Sequence, residues 1–130
     1  MIKRTERGWI GHFICGSRCK FRRNTLLEYD DIKIVVSTVG NLWLSRDDSE
    51  PETVGCGRYY ETMAFHSNKN DTIYHDADTT NQVDFDSEWS IDYYDTEDVD
   101  NVANDMHETV VSEITDKLLQ GDKFIKEVII

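Results

Sequence analysis

The chain has 130 residues, of which 38% are hydrophobic, and a formal net charge of −12. That length suits one domain with its own core, the apolar content exceeds that of a disordered chain, and no apolar run is long enough to span a bilayer. Cys15, Cys19 and Cys56 make an odd count, and the opening MIKRTERGWI lacks an apolar signal core, so reduced thiols and a cytoplasmic location are expected.

The first half reads as β-structure. GWIGHFIC (8–15) and IKIVVSTV (32–39) are rich in β-branched and aromatic residues, whereas GSRCKFRRN between them is too basic and polar to bury. NLWLSRDDSEPETVGCG (41–57), which holds Pro51, the chain's one proline, reads mostly as an exposed loop. RYYETMAFH (58–66) alternates, with Tyr59, Met63 and Phe65 on one face and Tyr60, Thr62 and Ala64 on the other. HSNKND reads as a turn, followed by a short strand at 72–75 and a long one at 83–94, an order that suits an antiparallel meander.

The last third changes period. Val99, Val102, Ala103, Met106, Val110, Ile114 and Leu118 recur at three- and four-residue steps, the stripe of an amphipathic helix. Asp95 is placed to cap it, Glu97 and Asp98 suit its positive end, and Gly121 stops it. FIKEVII at the C-terminus is too short to cross a membrane and reads as an edge strand or a contact segment. No repeat or linker divides residues 1–130, so the expectation is a single α+β domain: an antiparallel sheet of about four to six strands with one C-terminal helix packed on a face.

Charge is segregated along this order. Residues 1–33 hold eight bases against four acids, whereas residues 71–116 hold fifteen acids and no Lys or Arg. Along 83–94, alternation sends Val83, Phe85, Trp89, Ile91 and Tyr93 inward and Asp84, Asp86, Glu88 and Asp92 outward, about 6.7 Å apart along a strand. On the helix, Glu97, Asp98, Asp105, Glu108 and Asp116 lie opposite the apolar stripe. Rows of this kind also serve as plain solvated faces, but their regularity and lack of countercharge suit a protein that enters a groove built for phosphates. Tight binding would add apolar anchors, for which Tyr94, Tyr60 and Trp43 are candidates. The basic run RCKFRRN either neutralises part of the acidic region or forms a second contact surface.

Other chemistries are weakly supported. DADTTNQ from Asp76 begins like a calcium loop, but Asn81 stands where Gly is needed and Ser87 where Glu is needed. His12, Cys15 and Cys19, with Cys56 or His66, contain zinc-ligand types but not the spacing of paired knuckles. His66, His75 and Asp76 suggest a metal-dependent phosphohydrolase, on a region that reads as turn and strand rather than helix. No phosphate loop, nucleophile elbow or zinc-protease motif is present, so a non-enzyme without cofactor is expected.

RGWIGHFICGSRCKFRRNTLLEY, IVVSTVG, RYYETMAF and YHDAD resemble short phage- and prophage-encoded proteins, a resemblance that would span most of the chain. It implies an inhibitor of host defence, with anti-CRISPR proteins the best-studied class, several of which act as DNA mimics. Those families share no motif, so the resemblance carries over no site residue. The resulting expectation is a protein in the host cytoplasm, monomer or homodimer, that binds a host nucleic-acid-binding complex such as a CRISPR effector, but neither DNA nor membrane. Its partner-binding residues would be Asp84, Asp86, Glu88, Asp92, Tyr94, Asp98, Asp105 and Glu108. The alternative is a small metal-binding or nucleotide-handling phage protein using the His/Cys or His/Asp group.

Overall fold

A computed structural model describes residues 1–8, 18–45, 47–54, 57–67, 77–83, 89–94 and 99–124, with backbone only for 77–82. The strands are β1 (Lys3–Gly8), β2 (Cys19–Tyr29), β3 (Ile32–Leu42), β4 (Tyr60–Ser67), β5 (Ala77–Gln82) and β6 (Ser90–Ile91), followed by α1 (Val99–Leu119). The antiparallel sheet runs β1-β2-β3-β4-β5, and β6 pairs with β4 as well. This is the expected α+β fold with one C-terminal helix.

β2 and β3 form a long hairpin whose two-residue turn is Asp30–Asp31, with Asp30 at φ 54°. Aspartate tolerates that left-handed backbone better than most residues, which makes the turn possible without glycine. Strand alternation then sorts the side chains. Leu27, Ile34, Val36 and Ala64 meet Val110, Val111, Ile114 and Leu118 of α1 in one core, joined by Val83. Cys19, Val39 and Leu42 form another cluster, covered by Val54 of the β3–β4 loop. Ile114 and Leu118 are fully buried, so truncating either to alanine costs about 2–5 kcal/mol.

α1 ends as its sequence predicts. Gly121 has φ 96°, its N–H donates to the Leu118 carbonyl (3.0 Å), and the Asp122 N–H donates to the Lys117 carbonyl (2.9 Å). These two bonds satisfy carbonyls that the helix leaves open, and glycine reaches the required φ without a Cβ clash. The apolar stripe is shifted from the expected one. Val102 is exposed and Met106 half-buried, while His107 and Val111 are buried.

Some expectations for the strands are corrected, and others fall outside the described residues. Residues 9–17 lie outside the described residues, and the N-terminal strand is Lys3–Gly8, whose charge masks its pattern. The segment expected to be a polar connection becomes a strand from Cys19, with Cys19 and Asn24 buried. Asn41 and Leu42 complete β3 instead of opening the loop. The expected strand at 72–75 lies outside the described residues, as do Asp95, Glu97, Asp98 and residues 125–130. Ala77–Gln82, within the candidate calcium loop, is a strand.

The strand expected at 83–94 is not continuous: among its described residues only Ser90–Ile91 is a strand. The Val83 N–H donates to the Ala64 carbonyl (2.9 Å), and the Thr62 N–H donates to the Trp89 carbonyl (2.8 Å). Six steps from Val83 to Trp89 thus face two steps of β4, which no continuous antiparallel register allows. Past β6, Asp92 and Tyr93 are both exposed, so the alternation that sends Tyr93 inward does not hold.

Candidate interaction surface

Three polar groups bind the middle of α1 to the sheet. His107 is wholly buried, with Nε2 at 2.7 Å from Thr25 Oγ1 and Nδ1 at 2.7 Å from Thr38 Oγ1. Thr38 Oγ1 lies 2.7 Å from Thr62 Oγ1, and the Thr25 hydroxyl donates to Glu6 Oε1 at 2.7 Å. A hydroxyl has one proton to give. Thr25 gives its proton to Glu6 and therefore accepts from Nε2–H; the neutral ring then accepts at Nδ1 from Thr38, which accepts from Thr62. Burial first, and the nearby Arg23 charge second, push the His107 pKa down to about 4, consistent with the neutral ring. Histidine, hydroxyls and a carboxylate are also the parts of a nucleophile site, but this ring has no exposed atom for a substrate to reach. The arrangement fixes how α1 sits on the sheet.

Outside this bridge lies an ion cluster. Arg4 donates to Glu108 through both terminal nitrogens (3.0 and 2.7 Å) and to Glu6 (2.9 Å). Arg23 donates to Glu6 (3.0 Å), Glu108 (2.5 Å) and Asn104 Oδ1 (3.5 Å). Arg4 chiefly holds the Glu108 carboxyl down at about 2. Burial raises the Glu6 pKa, but bonds from Arg4, Thr25 and Arg23 outweigh it and leave the group below its ordinary value. The basic N-terminal part thus neutralises part of the acidic C-terminal part, and Glu108 is not the free outward acid that helical spacing suggests.

The remaining predicted site residues divide. Asp84, Asp86, Glu88 and Asp98 lie outside the described residues. Asp92, Asp105 and Asp116 are exposed, and none forms an ion pair with a described residue. Two of the three proposed anchors are occupied internally. Tyr60 is 3% exposed and donates to Asp100 Oδ1 (2.7 Å); burial, then that carboxylate, raises its pKa. Trp43 is half-buried, donates Nε1–H to Asn41 Oδ1 (2.6 Å), and has Lys20 Nζ 4.6 Å from its ring centroid.

Tyr94 is exposed and held from two sides. Its ring lies 5.0 Å from that of Tyr59, tilted by 54°, and its hydroxyl donates to Glu50 Oε2 (2.6 Å), which raises the phenol pKa. Glu50 belongs to the β3–β4 loop, where Leu42 bridges Glu52. The sequence singles out Trp43 of this loop as an anchor and Cys56 as a metal-ligand candidate, but neither Leu44 nor Glu50. Its acids Asp47, Asp48, Glu50 and Glu52, close in sequence to the exposed Leu44, are the signal that pointed to it.

Among the metal candidates, His12, Cys15, Cys56, His75 and Asp76 lie outside the described residues. Cys19 is buried in the cluster with Val39 and Leu42, and His66 Nε2 is 2.9 Å from the Phe124 carbonyl oxygen. Among the described residues no group of three His, Cys, Asp or Glu is placed to hold a metal ion, and no helix is long and apolar enough to cross a membrane. No family model, curated protein or solved structure matches the chain.

Proposed function

We propose that this protein is a non-enzymatic inhibitor whose acidic surface occupies the basic nucleic-acid-binding channel of another protein. In the phage setting that the resemblance implies, the partner is a CRISPR effector in the host cytoplasm. The observation that carries this reading is the uneven use of charge: Arg4 and Arg23 are spent on Glu6 and Glu108, while Asp92, Asp105 and Asp116 pair with no described residue. A surface of uncompensated carboxylates attracts a basic channel over a distance of about a Debye length and loses that attraction in salt.

Affinity capture tests the reading. The immobilised protein is incubated with bacterial lysate, and bound proteins are identified by mass spectrometry after washes at low and high salt. The expected result is a nucleic-acid-binding complex released by high salt and by competing duplex DNA, and not captured by a variant with Asp84→Lys, Asp86→Lys and Glu88→Lys. Retention by that triple variant, or a partner that DNA cannot displace, would overturn the mimic.

A further inference from the structure

We infer that the end of the sheet bearing the β3–β4 loop selects the partner, through exposed Leu44, Tyr93 and Tyr94 rimmed by carboxylates, and that it takes arginine side chains of a basic protein surface. The inference rests on the reading above and adds which side chains discriminate and which cation they favour.

Three contacts assemble this end. The Asn41 N–H donates to the Tyr59 carbonyl (3.2 Å), and the Tyr59 N–H donates to the Ile91 carbonyl (2.8 Å), so the start of the loop, the entry to β4 and the exit from β6 are adjacent. The Glu52 N–H donates to the Leu42 carbonyl (2.7 Å), folding the loop back on β3. Leu44 and Glu50 each stand two residues inside that bridge, and Glu50 accepts from Tyr94. Leu44, Tyr93 and Tyr94 are 54%, 49% and 41% exposed, three of the six large hydrophobic side chains exposed among the described residues. Asp47, Asp92 and Glu52 are exposed beside them in sequence, with Asp48 half-buried.

Charge complementarity names the occupant. An aromatic face attracts a cation, and a carboxylate beside it accepts the cation's N–H bonds. Arginine satisfies both at once because its guanidinium is planar, stacks on a ring and presents a fork of donors; a lysine ammonium is a compact, strongly hydrated charge. At the start of this loop an aromatic ring already holds a cation within the fold, with Lys20 Nζ 4.6 Å from the Trp43 centroid. Tyr94 is fixed by Tyr59 and Glu50 before any partner arrives, so little side-chain freedom is lost when a guanidinium stacks on it.

The test compares fluorescently labelled nona-arginine and nona-lysine peptides, equal in charge, by anisotropy at fixed salt. The native protein is expected to prefer nona-arginine by roughly tenfold. Tyr93→Leu with Tyr94→Leu keeps apolar bulk but removes both π-faces, and should erase most of that preference by weakening nona-arginine binding much more than nona-lysine binding. Tyr94→Phe, which keeps the ring and its contact with Tyr59 but loses the bond to Glu50, should retain most of the preference. Equal affinities in the native protein, or an intact preference in the leucine variant, would overturn the inference and leave the acidic-surface reading standing. If neither peptide binds, both fall.

Discussion

His107 Nε2 donates to Thr25 Oγ1 across 2.7 Å, joining residues 82 apart in sequence and tying the middle of α1 to β2. Because the ring is buried neutral, folding opposes its protonation. The unfolded chain takes up a proton near the ordinary value of 6.5, whereas the folded protein resists until about 4. The group's contribution is therefore complete above pH 6.5 and is lost as pH falls towards 4, on the order of 3 kcal/mol across the window. The groups facing it are Glu6, Glu108, Arg4 and Arg23; both carboxylates titrate below their ordinary 4.5 and add their own loss only under that pH. Urea denaturation between pH 7 and 4.5 should show stability falling with acid in the native protein, and His107→Gln should flatten the slope while lowering stability at pH 7. An unchanged slope in the variant would refute the assignment.

The ion cluster predicts a coupling between distant segments. Arg23 of β2 and Glu108 of α1 meet on the protein's flank, with the Glu108 side chain 46% exposed, so solvent screens much of their attraction. A double-mutant cycle on Arg23→Gln and Glu108→Gln should give a coupling of about 1 kcal/mol at low salt, smaller at high salt. Coupling within error of zero would show that the pair contributes nothing to folded stability.

How much of this was legible in the sequence depended on whether a pattern was local. The helix and its stop at Gly121 followed from periodicity and one residue's backbone freedom, and β3 from a dense β-branched run. β1 was hidden because Lys3, Arg4, Glu6 and Arg7 give an edge strand no apolar alternation, and the partners that take up the Arg4 and Glu6 charges, Glu108 and Arg23, stand elsewhere in the sequence. His107 was not singled out in the sequence, because its partners, Thr25 and Thr38, are hydroxyls on two different strands. Glu108 read as a free acid for the same reason: spacing reports the face of a helix but not what stands against it. The strand at 83–94 failed because alternation fixes faces only while the register is unbroken.

Gly40 is required by close packing. On β3 it lies under the Tyr60 ring, and a Cβ there would run into that ring and come within 2.8 Å of the Tyr59 carbonyl oxygen. Backbone cannot yield as a flexible side chain can, so Gly40→Ala should cost about 1–3 kcal/mol or more. Because Tyr60 donates to Asp100 at the start of α1, the loss should appear as a lower midpoint together with faster amide exchange in the first helical turns. A variant as stable as the native protein would show that Tyr60 can move without consequence.

The free acids of α1 should separate binding from folding. Asp105 and Asp116 are exposed and pair with no described residue, so replacing both by lysine, which moves the net charge from −12 to −8, removes no contact. Asp116 stands near the C-terminus of α1, where the helix dipole disfavours an anion and favours a cation by about 0.3–1 kcal/mol. The double variant should therefore unfold at the same midpoint as the native protein or slightly above it. If carboxylates on this face attract a basic partner, the same variant should bind nona-lysine more weakly and with a shallower dependence on salt. Unaltered binding would place the attraction elsewhere, on residues 84–98 or on the β3–β4 loop, while lost stability would mean that these two side chains serve the fold after all.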